Sequence, residues 1–123
     1  MGKAADIRWL GEPEKGNYPA AEPYLSLVYD RSAAAGLVRR LRRAPILHFK
    51  SKDIFRASGL SLLGIGNTHI KKDQKKIRQG KKLSPLLLVR DKAHGKVVIA
   101  DGYHRLCAVY SFDEDADIPC KIV

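Results

Sequence analysis

Hydrophobic positions in the second half of the chain form two short continuous runs. The runs cover residues 85–89 and 97–100, and the polar stretch between them suits a hairpin loop. The second run ends at Asp101-Gly102, and a segment with almost no polar face begins at once. We therefore predict two buried strands, a tight turn and a buried helix, followed by a last strand over 118–123.

Apolar residues in the first half recur mainly at helical spacing. A helix is predicted from Ser32 to Arg43, because Ser32 is a candidate N-cap and Pro45 stops the helix. The other predicted elements are a short strand at 46–49, a short helix closed by Gly59, a loop containing Gly64 and Gly66, and a helix from about residue 68 to Gly80.

The N-terminal segment differs from the rest of the chain in composition. Residues 1–24 are rich in Gly, Pro and Ala, which predicts a poorly structured arm, with the domain itself at 25–123. Trp9, Tyr18 and Tyr24 are candidates for fastening the arm, because aromatic side chains bury much area at low entropic cost. Packing is favoured over the alternative use of the arm, which is to form a homodimer.

Size and composition fit a single globular domain. The 123 residues suffice to bury one core, and Cys107 and Cys120 fall in apolar segments, where they are predicted to be small buried side chains. No apolar run approaches the roughly 20 residues of a membrane span, and the start lacks the apolar core of a signal peptide. We expect a cytoplasmic protein without a membrane partner.

Charge is distributed unevenly in this basic chain, whose net charge is +10. Residues 31–82 hold 15 Lys and Arg against Asp53 and Asp73, a balance of +13, whereas the remainder balances at −3. Such a field attracts nucleic acid, nucleotides or other acidic partners. Solvation of helix faces by Lys and Arg explains the same composition, so both interpretations stay open.

Two basic side chains lie where the predicted buried helix begins. The start of a helix carries a partial positive charge, so His104 and Arg105 are unfavourable there unless an anion is near. First-turn N–H groups, a guanidinium and an imidazole together suit a phosphate or a carboxylate. In the alternative interpretation, Asp101 caps the helix and pairs with Arg105 four residues on.

A longer set of residues carries a family resemblance. In the order strand, strand, helix, strand, the set is Ile77, Gly80, Leu83, Pro85, Leu86, Val89, Ile99, the run Asp101-Gly102-Tyr103-His104-Arg105, Ala108 and Ile118-Pro119. This set resembles the ParB/sulfiredoxin-like superfamily. The resemblance implies a single α/β (α+β) domain, with a small mixed sheet and packed helices, that binds a nucleotide or another phosphorylated small molecule.

The five-residue motif is most similar to the Asp-Gly-His-His-Arg motif of free-serine kinases. That similarity implies phosphate binding by Gly102, Tyr103, His104 and Arg105, with ATP or CTP as the cofactor. It also implies a catalytic pair, Asp101 and His104, in which Asp101 orients a hydroxyl or holds Mg²⁺, because phosphoryl transfer depends on positioning and charge neutralisation.

The chain departs from its relatives at several positions. Sulfiredoxins have a nucleophilic Cys where this chain has Tyr103, and a phenol does not replace that thiolate. Partition-type ParB proteins have Glu and Arg where this chain has Tyr103 and His104, so neither activity is expected. The additional catalytic acid of the kinases has no counterpart other than Asp73.

A basic stripe on the preceding helix is the second candidate component. His69, Lys72 and Lys76 share one face at i, i+3 and i+7, while Ile70 and Ile77 anchor the helix inward. In sulfiredoxin-like domains the corresponding helix faces the nucleotide, and the resemblance implies phosphate contacts for this stripe. A solvated Lys-rich face is the alternative.

The sequence thus favours a nucleotide- or phosphate-binding domain, with phosphoryl transfer or nucleotide hydrolysis as its candidate reactions. A nucleic-acid-binding or nuclease-like module using residues 31–82 is one alternative, and a non-catalytic regulatory or scaffold domain is another. The candidate site comprises Asp101 and His104 as catalytic residues, Asp101 as metal ligand, and Gly102, Tyr103, His104, Arg105, His69, Lys72 and Lys76 as ligand-binding residues.

Overall fold

A mixed four-stranded sheet organises the chain in the computed structural model, which describes residues 6–61 and 68–123. The strands are β1 (Leu47–Lys50), β2 (Leu86–Asp91), β3 (Lys96–Asp101) and β4 (Asp117–Ile122), in the spatial order β1-β4-β2-β3. β2 and β4 are parallel, and the β1–β4 and β2–β3 pairs are antiparallel. The predicted α/β class and mixed sheet are confirmed.

Helices cover both faces of the sheet. They are α1 (Asn17–Val28), α2 (Arg31–Arg43), α3 (Ser51–Ser58), α4 (Thr68–Arg78) and α5 (Tyr103–Phe112). Leu86 and Leu88 of β2 pack into a cluster with residues of α3, α4 and α5, whereas Leu87 and Val89 pack into a cluster with α1 and α2. Burial on both faces explains why the β2 sequence reads as a continuous apolar run.

Residues 17–24 are not part of a poorly structured arm, as predicted, because they form most of α1. Tyr18, Ala21 and Leu25 lie at i, i+3 and i+7 and are buried in the α1–α2 cluster. Pro23 lies inside the helix and removes one backbone donor, and the packing of this buried stripe outweighs that loss. The Gly and Pro content therefore gave the wrong prediction for these eight residues.

The residues before α1 are joined to the rest of the domain by main-chain hydrogen bonds. Trp9 forms a parallel bridge with Leu83, where Leu10 N–H donates to the Leu83 carbonyl and Leu83 N–H donates to the Arg8 carbonyl. Trp9 also packs against the larger core cluster. The fastening roles predicted for Trp9 and Tyr18 are thus confirmed, whereas Tyr24 is largely exposed.

The structure also bears on several smaller predictions. Cys107 and Cys120 are both buried in the core, as predicted, and neither forms a disulfide within the described residues. No helix within residues 6–61 and 68–123 is long and apolar enough to cross a membrane. The loop predicted around Gly64 and Gly66 lies outside the described residues.

Candidate functional site

The predicted site residues converge on one cavity of about 220 Å³. It lies between α4 and the start of α5, and its lining contains all eight predicted residues: His69, Lys72, Lys76, Asp101, Gly102, Tyr103, His104 and Arg105. The ninth lining residue is Asp73. Two segments about 30 positions apart in the sequence thus share one concave surface.

Gly102 makes the sharp entry into α5 possible. It follows the last residue of β3 directly and has φ +109°, a left-handed conformation that L side chains rarely adopt. A Cβ atom at this position would lie 2.8 Å from Leu86 Cγ and 2.8 Å from Arg105 Nη2. The absence of a side chain therefore lets the first turn of α5 lie against the beginning of β2.

Asp101 and Arg105 form the ion pair that the sequence gave as the alternative to anion binding. Arg105 Nη2 donates to Asp101 Oδ2 at 2.9 Å, and both side chains are less than one-fifth exposed. The same Nη2 lies 3.5 Å from the Pro85 carbonyl oxygen. Arg105 Nε is buried and has no hydrogen-bond partner among the described residues, so part of the guanidinium's donor capacity is not used by the ion pair.

The prediction that Asp101 caps α5 is wrong. Gly102 occupies the N-cap position and no side chain caps the helix. Asp101 ends β3, and its carboxylate accepts from Arg105 instead. The first intrahelical bond runs from Leu106 N–H to the Gly102 carbonyl, so the N–H groups of the three preceding residues have no acceptor within α5.

Helix α4 supplies the second wall of the cavity. Ile70 and Ile77 are buried in the core and Gln74 Nε2 donates to Ser111 Oγ of α5 at 2.9 Å, which fixes the rotation of α4. This rotation brings the stripe of His69, Lys72 and Lys76 to the cavity. The His69 and His104 rings have centroids 4.7 Å apart and are tilted by 40°, so the two walls touch through their imidazoles.

Tyr103 lines the cavity, but its hydroxyl is engaged by the protein. Its phenol O–H donates to the Ser61 carbonyl. Burial, with a smaller contribution from neighbouring Cys107, raises the pKa of the Tyr103 phenol above its usual value. Tyr103 is therefore neutral across the physiological range, and its proton is directed to the protein backbone.

Asp73 is the lining residue that sequence reasoning did not place in the site. Its i, i+3 spacing from Ile70 suggests the buried face of α4, but Asp73 is half-buried at the cavity. The signal was present, since Asp73 lies four residues after His69 and three before Lys76, and both spacings fall on one helix face. Asp73 and Asp101 set two carboxylates against the cations Lys72, Lys76 and Arg105.

A resident metal ion does not fit these side chains. Within residues 6–61 and 68–123, no group of three or more His, Cys, Asp or Glu side chains could hold a metal. The carboxylate of Asp101 is already engaged by Arg105. Mg²⁺ is commonly bound through one or two carboxylates together with substrate phosphates, and Asp101 and Asp73 are the two carboxylates of the described cavity lining.

The comparisons with known proteins add no relative. No family model, no curated protein and no solved structure matches the chain. The similarity to the ParB/sulfiredoxin-like superfamily stays a prediction that depends on the residues quoted above.

Proposed function

We propose that the cavity between α4 and α5 binds the phosphate group of a nucleotide or of another phosphorylated small molecule. The observation that carries the proposal is the convergence of Lys72 and Lys76 with Arg105 and the other first-turn residues of α5 on one cavity. A helix start and fixed cations are a recurrent combination for binding phosphate.

The volume of the cavity limits what part of the ligand it encloses. Sites that bury a whole small molecule usually measure about 300–1,000 Å³, whereas this cavity measures about 220 Å³. The cavity is thus suited to the phosphate end of the ligand, with the remainder lying outside. ATP and CTP are the nucleotides to examine first, because the resemblance implies them.

Phosphoryl transfer or nucleotide hydrolysis is the reaction that this site would support. Lys72, Lys76 and Arg105 would offset charge on the phosphate oxygens, and Asp101 or His104 would orient the attacking hydroxyl or water. Asp101 and Asp73 would complete the coordination of Mg²⁺ that is carried by the phosphates.

A thermal unfolding panel tests the proposal. ATP, ADP, CTP, GTP and inorganic phosphate are added with and without Mg²⁺. Ligand at about 100 times its Kd stabilises the folded state by about 2.7 kcal/mol, which raises Tm by about 10 °C in a domain of this size. At least one nucleotide is expected to produce a shift of this order.

Matched variants of α4 locate the binding. Lys72→Gln/Lys76→Gln removes two cations from the cavity lining and should abolish most of the ligand-induced shift. Lys71→Gln/Lys75→Gln removes two exposed cations from the same helix, neither of which lines the cavity, and should retain the shift. Equal losses in the two variants, or no shift with any ligand at millimolar concentration, would contradict the proposal and favour a regulatory or scaffold role.

A further inference from the structure

A second, larger concave surface lies where α2 ends against the sheet. This groove has a volume of about 740 Å³. Four basic residues line it: Arg40 and Arg43 from α2, Arg90 from β2, and Lys92 from the loop after β2. Arg90 lies at the edge of the groove, because it also lines a smaller neighbouring cavity together with Asp53. Its floor is formed by apolar residues of α2, β2 and β4. We call this surface the basic groove.

The cations of the basic groove have no acidic partners in the part of the chain that the structure describes. No carboxylate side chain forms an ion pair with any of the four, and none lines the groove. Asp91 lies between Arg90 and Lys92 in sequence, but its carboxylate accepts from His94 Nδ1 at 2.9 Å. Even with a terminal carboxylate at Val123, the lining would carry a net charge of +3.

The local structure explains only half of this charge. Arg40 and Arg43 lie in the last turn of α2, where the helix dipole favours cations without any ligand. Arg90 and Lys92 belong to a different element, so the dipole of α2 does not account for them. Four like charges around one groove repel each other, and an anion bound between them would offset that repulsion.

The basic groove and the cavity are separate surfaces. β2 begins beside the cavity, where the Pro85 carbonyl meets Arg105, and its Arg90 end lines the groove. Arg90 lies four residues after Leu86 along the strand, which corresponds to about 13 Å. The two surfaces share no lining residue, so substitutions can remove either one alone.

We propose that the basic groove binds the phosphodiester backbone of duplex nucleic acid. None of the described residues that line the groove is aromatic, so they offer no platform on which unpaired bases could stack, as single-strand binders require. A duplex keeps its own bases stacked and presents a continuous row of phosphates. Contact with Arg and Lys alone then provides binding without sequence preference. This inference does not depend on the function proposed for the cavity.

Fluorescence anisotropy with labelled DNA and RNA duplexes of about 20 base pairs tests the proposal. Arg43→Gln/Arg90→Gln should raise Kd at least about tenfold at about 0.1 M salt, and should make the slope of log K against log salt less steep by about 2. Lys71→Gln/Lys75→Gln has the same net charge but leaves the groove intact, so its Kd should stay within about threefold of the parent value.

A second variant guards against a folding defect. Arg40→Gln/Lys92→Gln removes the other two groove cations and should give the same loss of affinity, and Tm is measured for every variant. The proposal would be overturned if both groove variants fold normally and bind the duplex as tightly as the Lys71/Lys75 control does. So would tighter binding of an oligo-dT single strand than of the duplex, or a groove-dependent affinity confined to anionic phospholipid vesicles.

Discussion

The cavity and the basic groove lie at opposite ends of one strand, and they hold their cations in different ways. In the cavity, Arg105 is fixed by Asp101, and Asp73 lies beside the two lysines of α4. In the groove, four cations face solvent without a carboxylate side chain among the lining residues. The cavity is small, and two carboxylates offset most of the positive charge of its three cations. Such a site suits one oriented phosphate. The groove is larger and uncompensated, which suits a repetitive polyanion.

The largest effect that would separate the two surfaces is expected at Gly102. In Gly102→Ala, the new methyl would overlap Leu86 and Arg105, in a backbone conformation that L residues rarely adopt. We expect the free energy of unfolding to fall by about 3 kcal/mol, measured by urea denaturation. Ligand-induced stabilisation through the cavity should be lost as well, while duplex binding by the folded fraction should persist.

Gly95 provides the matched control for Gly102→Ala. It also has a positive φ, +63°, but no atom lies within 4 Å of its ideal Cβ position. Gly95→Ala should therefore cost only the backbone strain, about 1 kcal/mol. If the free energy of unfolding falls equally in the two variants, the close approach to Leu86 does not contribute to the cost of Gly102→Ala.

A smaller effect is expected from breaking the compensated pair in the cavity. Arg105→Met leaves the largely buried Asp101 carboxylate without its partner, which should lower the free energy of unfolding by about 2 kcal/mol. Adding Asp101→Asn should recover about half of that loss. The exposed Arg56–Asp53 pair, with a separation of 3.8 Å, is the control, and Arg56→Met should have little effect. No recovery in the double variant would contradict the coupling.

Alkaline pH should weaken the sheet that the two surfaces share. Burial raises the pKa of the Cys120 thiol to about 12, whereas an unfolded thiol loses its proton near pH 9. Above about pH 9 the unfolded state therefore binds fewer protons than the folded state, and stability falls as pH rises. Between about pH 9 and pH 10.5, urea denaturation should show a loss about 1–2 kcal/mol larger in the parent protein than in Cys120→Ala. Parallel pH profiles would exclude a contribution from this thiol.

The smallest effect is expected on the helix that carries two of the groove arginines. Asp30 caps α2, because its Oδ1 accepts from Ala33 N–H at 2.7 Å. Asp30→Ala should destabilise the protein by about 1 kcal/mol, and Asp30→Ser should retain most of the stability. Duplex affinity should not change, since Arg40 and Arg43 lie at the far end of α2. A large loss of duplex affinity would show that the whole helix, rather than its last turn, is required.

The sequence predicted most elements but not their arrangement. The apolar runs located β2 and β3, and a helix follows Asp101-Gly102 as predicted. Two local signals were misread: Asp30 rather than Ser32 caps α2, although both are favoured N-cap residue types, and α1 forms despite Pro23 because its buried stripe packs in the core. The parallel pairing of β2 with β4 has no local signature, because it joins residues more than 30 positions apart.

The site was more accessible to sequence reasoning than the groove was. The motif at residues 101–105 and the helical spacing of the α4 stripe together predicted eight cavity residues, because both patterns are local. Asp73 was missed because the cavity-facing side of α4 was defined by its basic residues alone. The groove combines two arginines of α2 with Arg90 and Lys92, which are about 50 positions away. Only the folded sheet places those residues together, so charge counting along the chain could not identify this surface.

The position of β4 also dictates an order of assembly during synthesis. β4 lies between β1 and β2, and within the described residues β1 pairs with no other strand. When β1 leaves the ribosome, its only partner lies nearly 70 residues away in sequence and has not yet been translated. The β2–β3 hairpin is local and is available earlier. β1 therefore stays unpaired until β4 inserts beside it. During this interval the nascent chain most needs the protection that chaperones provide.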